Sequence, residues 1–88
     1  MVNAMNIINK WLEGDIPVSA KYTYKSLSLE VSDIKLAMHT GDFYSFTNGE
    51  GASVVFKNIV NCMEESEKVI IQTDLEETVT LYLDYDLL

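Results

Sequence analysis

The chain contains no arginine, one histidine (His39) and one cysteine (Cys62). A lone cysteine excludes an intrachain disulfide, and one Cys with one His cannot make the four-ligand set of a structural zinc. The groups that most hydrolytic sites use to stabilise developing charge are therefore nearly missing. Apolar runs are also short: none approaches the ~20 residues of a membrane-spanning helix. The N-terminal stretch MVNAMNIINKWLEG has no basic leader before its apolar residues and no small-residue cleavage site, so no signal peptide is expected. Glycine is sparse as well, with four in the chain, and Gly49 and Gly51 do not open a phosphate loop. No strand–loop–helix pattern with a Lys-Ser/Thr follows them, and Glu50 between them repels phosphate.

What is present is apolar and acidic. With 88 residues, 48% of them hydrophobic, the chain is expected to fold as one domain, residues 1–88, with a core and no staples. The net charge of -8 is unevenly placed: residues 1–39 balance four lysines against four acids, so the whole excess lies in residues 40–88. Such a field repels nucleic acid and anionic membrane and attracts basic proteins. A soluble, cytoplasmic protein is expected, with no direct nucleic-acid contact, no membrane contact and no cofactor. Acids in turns also keep a small apolar domain soluble, whatever else they do.

The clearest local signal is Lys68–Leu88, KVIIQTDLEETVTLYLDYDLL. Val69 and Ile71, then Val79, Leu81 and Leu83, alternate with other residues on either side of a polar Asp74–Glu77 loop, the pattern of a β-hairpin with one buried face. At the other end, Ala4, Ile7, Ile8, Trp11 and Leu12 form one apolar stripe and predict a helix over 3–13. Asn3 would cap it, Gly14 would end it in the left-handed conformation, and Trp11 would anchor it. Pro17 then forces Ile16 out of helical geometry.

Between these ends the pattern is extended but changes phase. Tyr22 and Tyr24 share one parity and Leu27, Leu29 and Val31 the other, which requires a turn or bulge at Lys25-Ser26. A second break is required at Ser32-Asp33, after which Ile34, Leu36 and Met38 form the next apolar set. Phe43–Thr47 follows as a strand, then a glycine-rich loop. Residues 53–65 fit a strand with a bulge near Asn58, and also fit a helix with Val55, Phe56, Ile59, Val60, Cys62 and Met63 on one face. The expected fold is α+β, mostly β: the helix packed on a β-rich body, residues 18–88, that forms an antiparallel meandering sheet of about five or six strands and can curl into a small open barrel.

Few residues point to chemistry. Asp84 and Asp86 lie two apart on a reading that continues the last strand, hence on one face, where they could hold a divalent cation. The further oxygen ligands such ions require are not apparent. His39, beside a glycine turn with no nucleophile motif, is expected to be structural or solvent-facing, and Cys62 to be an inert thiol.

Function is therefore expected to reside in surface charge. The candidate protein-binding residues are Glu64, Glu65 and Glu67 before the last hairpin, Asp74, Glu76 and Glu77 in its loop, and Tyr82, Asp84 and Asp86 at its end. Together they would form an elongated acidic edge, with Tyr82 and Ile70 as apolar anchors. In size and charge the chain resembles the small acidic inhibitors that phages direct against host defence systems, anti-CRISPR proteins among them. That resemblance implies a non-enzymatic binding module that docks on a basic, nucleic-acid-binding protein, in its sharper form by mimicking a phosphate backbone. The alternatives are a self-associating structural subunit, hence a homo-oligomer, and a metal-dependent hydrolase using Asp84 and Asp86.

Overall fold

The computed structural model describes residues 1–88. It opens with helix α1, Val2–Leu12, followed by eight strands. These are β1 (Val18–Tyr24), β2 (Leu27–Val31), β3 (Ile34–Thr40), β4 (Phe43–Asn48), β5 (Ser53–Lys57), β6 (Ile59–Glu64), β7 (Lys68–Thr73) and β8 (Thr78–Leu83), with a 3₁₀ turn at Tyr85–Leu87. All strand pairs are antiparallel, and the architecture is α+β, mostly β. A five-stranded sheet has the order β2-β1-β8-β7-β6, and a three-stranded sheet the order β3-β4-β5.

The chain moves between sheets at two corners. Asp33 joins β2 to β3 and Asn58 joins β5 to β6, with φ of 60° and 58°. A side chain on the left-handed backbone is uncommon, and Asp and Asn are among the residues that tolerate it best. β2 does not pair with β3, nor β5 with β6. Each couple is one long strand bent across both layers, and counted that way the chain has six strands. The circuit is completed where β8 lies beside β1, from Val18↔Leu83 to Thr23↔Thr78. It stays open as a barrel because the ladder is broken at both corners.

Residues 53–65 adopt the strand alternative, kinked at Asn58 and bulged between Ile59 and Asn61. Two phase breaks read from the sequence are likewise present. Lys25, at φ 53°, turns a two-residue hairpin that places Tyr24 opposite Leu27 and Tyr22 opposite Leu29. Asp33 supplies the second break. Gly41, at φ 60°, turns β3 into β4.

The helix differs in detail from its sequence expectation. It begins at Val2, with Met1 as N-cap, so Asn3 lies inside the first turn and does not cap. At the other end the N–H groups of Glu13 and Gly14 donate to the carbonyls of Lys10 and Trp11, at 3.2 and 3.0 Å. These tight bonds close the helix without a left-handed Gly14. The buried stripe is Ala4 and Ile8, while Trp11 is only half-buried and packs on the rim of the core. The helix rests on β3, at the margin of a small domain.

β3 contains the largest departure from the expected pattern. Its register against β4 shifts between Ile34 and Leu36. Ile34 is buried, but beyond the shift Ala37 faces Phe46, which turns Leu36 and Met38 outward. A one-residue slip exchanges the two faces of a strand, so the set Ile34, Leu36, Met38 does not act as one. The core is Ala4 and Ile8 with Val18, Ala20, Ile34, Phe46, Val54, Phe56, Val69, Ile71, Val79 and Leu81. Phe46 is its largest fully buried side chain. Phe46→Ala is expected to cost about 3–5 kcal/mol in denaturant titrations, and half-buried Trp11→Ala distinctly less. Equal losses would show that the rim supports the fold as much as the centre does.

Candidate functional site

The β7–β8 hairpin pairs Lys68 with Tyr82 through Gln72 with Thr78. Val69, Ile71, Val79 and Leu81 point inward and are fully buried, so Lys68, Ile70, Gln72, Thr78, Thr80 and Tyr82 point outward. The acids fall at the two ends of this face. Glu64, Glu65 and Glu67 lie at one end, where the Leu83 N–H donates to the Glu67 carbonyl at 3.0 Å and the Tyr85 hydroxyl donates to Glu67 Oε1 at 3.4 Å. Asp86 is exposed in the 3₁₀ turn that follows β8. Asp74, Glu76 and Glu77 lie at the other end, roughly 17–20 Å away at ~3.3 Å per residue.

Between the two groups runs a neutral strip of Ile70, Gln72, Thr78 and Thr80, with Lys68 on the same face. The acids therefore form two poles rather than one continuous edge. Several are also engaged within the fold. The Tyr22 hydroxyl donates to Glu77 Oε2 at 2.5 Å and ties the hairpin end to β1, while the Thr73 hydroxyl donates to Glu77 Oε1 at 2.8 Å within the hairpin itself. Glu65 pairs with Lys68 at 3.8 Å. Glu64, Glu67, Asp74, Glu76 and Asp86 remain exposed.

Asp84 leaves the contact set. β8 ends at Leu83, and Asp84 is the residue before the 3₁₀ turn, only 8% exposed. Its Oδ2 accepts the buried Ser19 hydroxyl at 2.7 Å, and its N–H donates to the Pro17 carbonyl at 2.7 Å. The Asp33 N–H donates in turn to Ser19 Oγ at 3.3 Å. A single node thus ties the start of β1, the end of β8 and the Asp33 corner. The expected one-face pairing of Asp84 and Asp86 fails because the strand stops before it reaches them. No three His, Cys, Asp or Glu side chains converge in a metal-binding arrangement.

Tyr82 is not a free anchor either. It is half-buried, and its hydroxyl donates to Glu30 Oε1 at 2.8 Å across β1. Burial first, and then this bond to a carboxylate, push its pKa well above the usual phenol value. His39 is exposed and stacks on Tyr44, with centroids 4.1 Å apart. Cys62 is half-buried, and burial raises its pKa, which leaves it a poor nucleophile.

Two apolar features escaped the sequence pattern. The outward face of the three-stranded sheet carries Leu36, Met38, Phe43 and Val55, each about half exposed, and no acid. Along the strands, Tyr22, Leu29 and Val31 of the large sheet and Ser53, Val54 and Val55 of the small one line a groove of about 210 Å³. Leu29 has core parity, opposite Tyr22, yet is 54% exposed. Three strands cannot cover five, so the β2 end of the large sheet projects beyond its partner layer. Alternation identifies a face but not the width of the layer that covers it.

Two outcomes are expected. The bond to Glu77 is the main reason that the Tyr22 pKa rises from 10.0 to about 12. The folded state thus holds this proton more tightly than the unfolded chain. The stabilisation is complete below pH 10 and is lost as pH climbs from 10 towards 12. Glu77→Gln should return the Tyr22 transition towards 10 in site-resolved ring-carbon NMR and flatten stability across that window. Separately, Ser19→Ala leaves a buried carboxylate short of a donor and should cost about 1–3 kcal/mol. A neutral result in urea titrations would show that Asp84 is satisfied without Ser19.

The chain matches no protein-family model, no curated protein and no solved structure.

Proposed function

We propose that this chain is a small non-enzymatic binding module that docks on a basic protein surface. The observation that carries the reading is the state of its charge. Only two of its fourteen acids stand in ion pairs, Asp33 with Lys35 and Glu65 with Lys68. The remaining carboxylates have no cationic partner in the fold, and five of them lie exposed at the two poles of the large sheet. A surface of this kind steers a cationic partner and sets orientation, while apolar area supplies lasting affinity. Apolar area is ample, since thirteen large hydrophobic side chains are exposed against twelve in the core. A nucleic-acid-binding protein is the class of partner that best fits the charge. Two poles about 17–20 Å apart would meet two separated basic patches, which narrows the phosphate-mimic form of the idea to a two-point contact.

Self-association is the second reading, favoured by the acid-free outward face of β3–β4–β5. A chain of net charge -8 can approach its own copy most easily through such a face. A sedimentation series in protein concentration separates the two, because the first reading expects a monomer throughout.

The acidic reading is tested with a captured basic partner. Its association rate is expected to fall steeply between about 50 and 300 mM salt, as screening shortens the reach of exposed charge. Glu64→Lys with Glu76→Lys should slow association far more than it speeds dissociation. Salt-independent association would remove the proposal.

A further inference from the structure

Of the four strand edges left by two open sheets, β3 is covered by α1 and bulged, β6 is bulged between Ile59 and Asn61, and β5 ends in Lys57. Edge strand β2 differs from all three. It pairs with β1 in an unbroken register, contains no proline or lysine, and has only exposed residues from Leu27 to Glu30. Lysines, prolines and bulges are the usual means of blocking a strand edge, and β2 has none of them. Its hairpin loop is two residues long, so the narrow hydrogen-bonded pairs fall at Tyr24–Leu27, Tyr22–Leu29 and Ala20–Val31. The main-chain groups of Ser28 and Glu30 then face the open side.

Alongside that edge runs the groove lined by Tyr22, Leu29, Val31, Ser53, Val54 and Val55. Its surroundings are acidic on balance, with Lys21 of β1 directly opposite Glu30 as a cation on the same side. Glu30 is on the edge strand itself, Glu77 is bonded to Tyr22, Glu76 adjoins it, and Glu50 lies in the loop that leads into β5. Lys25 is the one cation in the β1–β2 loop, and it lies over the Tyr24 ring.

We propose that β2 accepts an extended segment of the basic partner as an added strand, with apolar and basic residues alternating along it. Ser28 and Glu30 supply the main-chain hydrogen bonds. Alternate apolar side chains of the segment enter the groove over Leu29 and Val55, and its basic ones face Glu30 and the neighbouring acids. This is strand addition, in which ladder bonds hold the peptide and every second side chain selects it. The inference rests on the basic-partner reading and specifies where part of that partner is held.

The probe is a synthetic peptide of about eight residues, alternating valine and lysine, a usual strand length. Binding should protect the amides of Ser28 and Glu30 from hydrogen exchange. A valine–glutamate counterpart should bind at least about tenfold more weakly, given the charge of the site. Ser28→Pro removes an outward N–H that the ladder does not use, and Leu29→Lys places a cation in the groove. Each should weaken the peptide by about tenfold or more while melting like the parent. No protection at Ser28 and Glu30, or equal affinity for the two peptides, overturns the proposal. Concentration-dependent protection of those amides without peptide also overturns it, by giving the edge to a second copy. If the peptide fails while a captured basic partner still associates in a salt-sensitive way, the added strand is excluded and the acidic docking stands.

Discussion

The fold depends on two bends. A meander of short strands in one plane would bury one face against nothing. This chain avoids that by carrying two strands through the left-handed backbone at Asp33 and Asn58, which lays three strands across five. Both corners are held by hydrogen bonds. The Asp33 N–H donates to Ser19, which also holds Asp84, and the Asn58 carbonyl accepts the Asp74 N–H at 3.0 Å. Acidic residues that look like surface charge in the sequence thus serve partly as fasteners, while the carboxylates left over give the molecule its external field.

Much of the architecture was legible, because alternation is a physical record of which side faces oil and which faces water. The β7–β8 hairpin, the turn at Lys25-Ser26 and the break at Asp33 could be read from changes of phase, and the break at Asn58 only on the strand reading of residues 53–65, which a helical stripe matched nearly as well. Three things could not. The register slip after Ile34 reversed the meaning of Leu36 and Met38, since the same letters describe either face. The seat of the helix favoured Ile8 over Trp11, because the room beneath a helix is set by its neighbours and not by its own stripe. Asp84 looked like exposed charge because nothing local reveals that Ser19, distant in sequence, arrives to bond it.

The candidate surface was legible in part for the same reason. Acids in turns are easy to place at the ends of a hairpin, and they do lie there. Which of them remain free is decided by partners on other strands: Tyr22 takes Glu77, and Lys68 takes Glu65. The groove between β2 and β5 is a product of unequal layer widths and has no sequence signature. A binding surface composed of ends and edges is thus less visible in sequence than a core, which repeats its pattern along every strand.

The β8–β1 ladder has a consequence in time. It joins residues 18–23 to residues 78–83, nearly the full length of the chain. Contacts so distant in sequence form only after a large loop has closed, which slows folding relative to local hairpins. During synthesis the β3–β4–β5 sheet can assemble early, but β1 waits for β8 to leave the ribosome. Until then Val18 and Ala20 lack their β8 neighbours, and the inner face of β1 is exposed to whatever else is nearby. Residues 1–39 carry no net charge, so like-charge repulsion between nascent chains begins to protect that face only as the acidic half itself emerges.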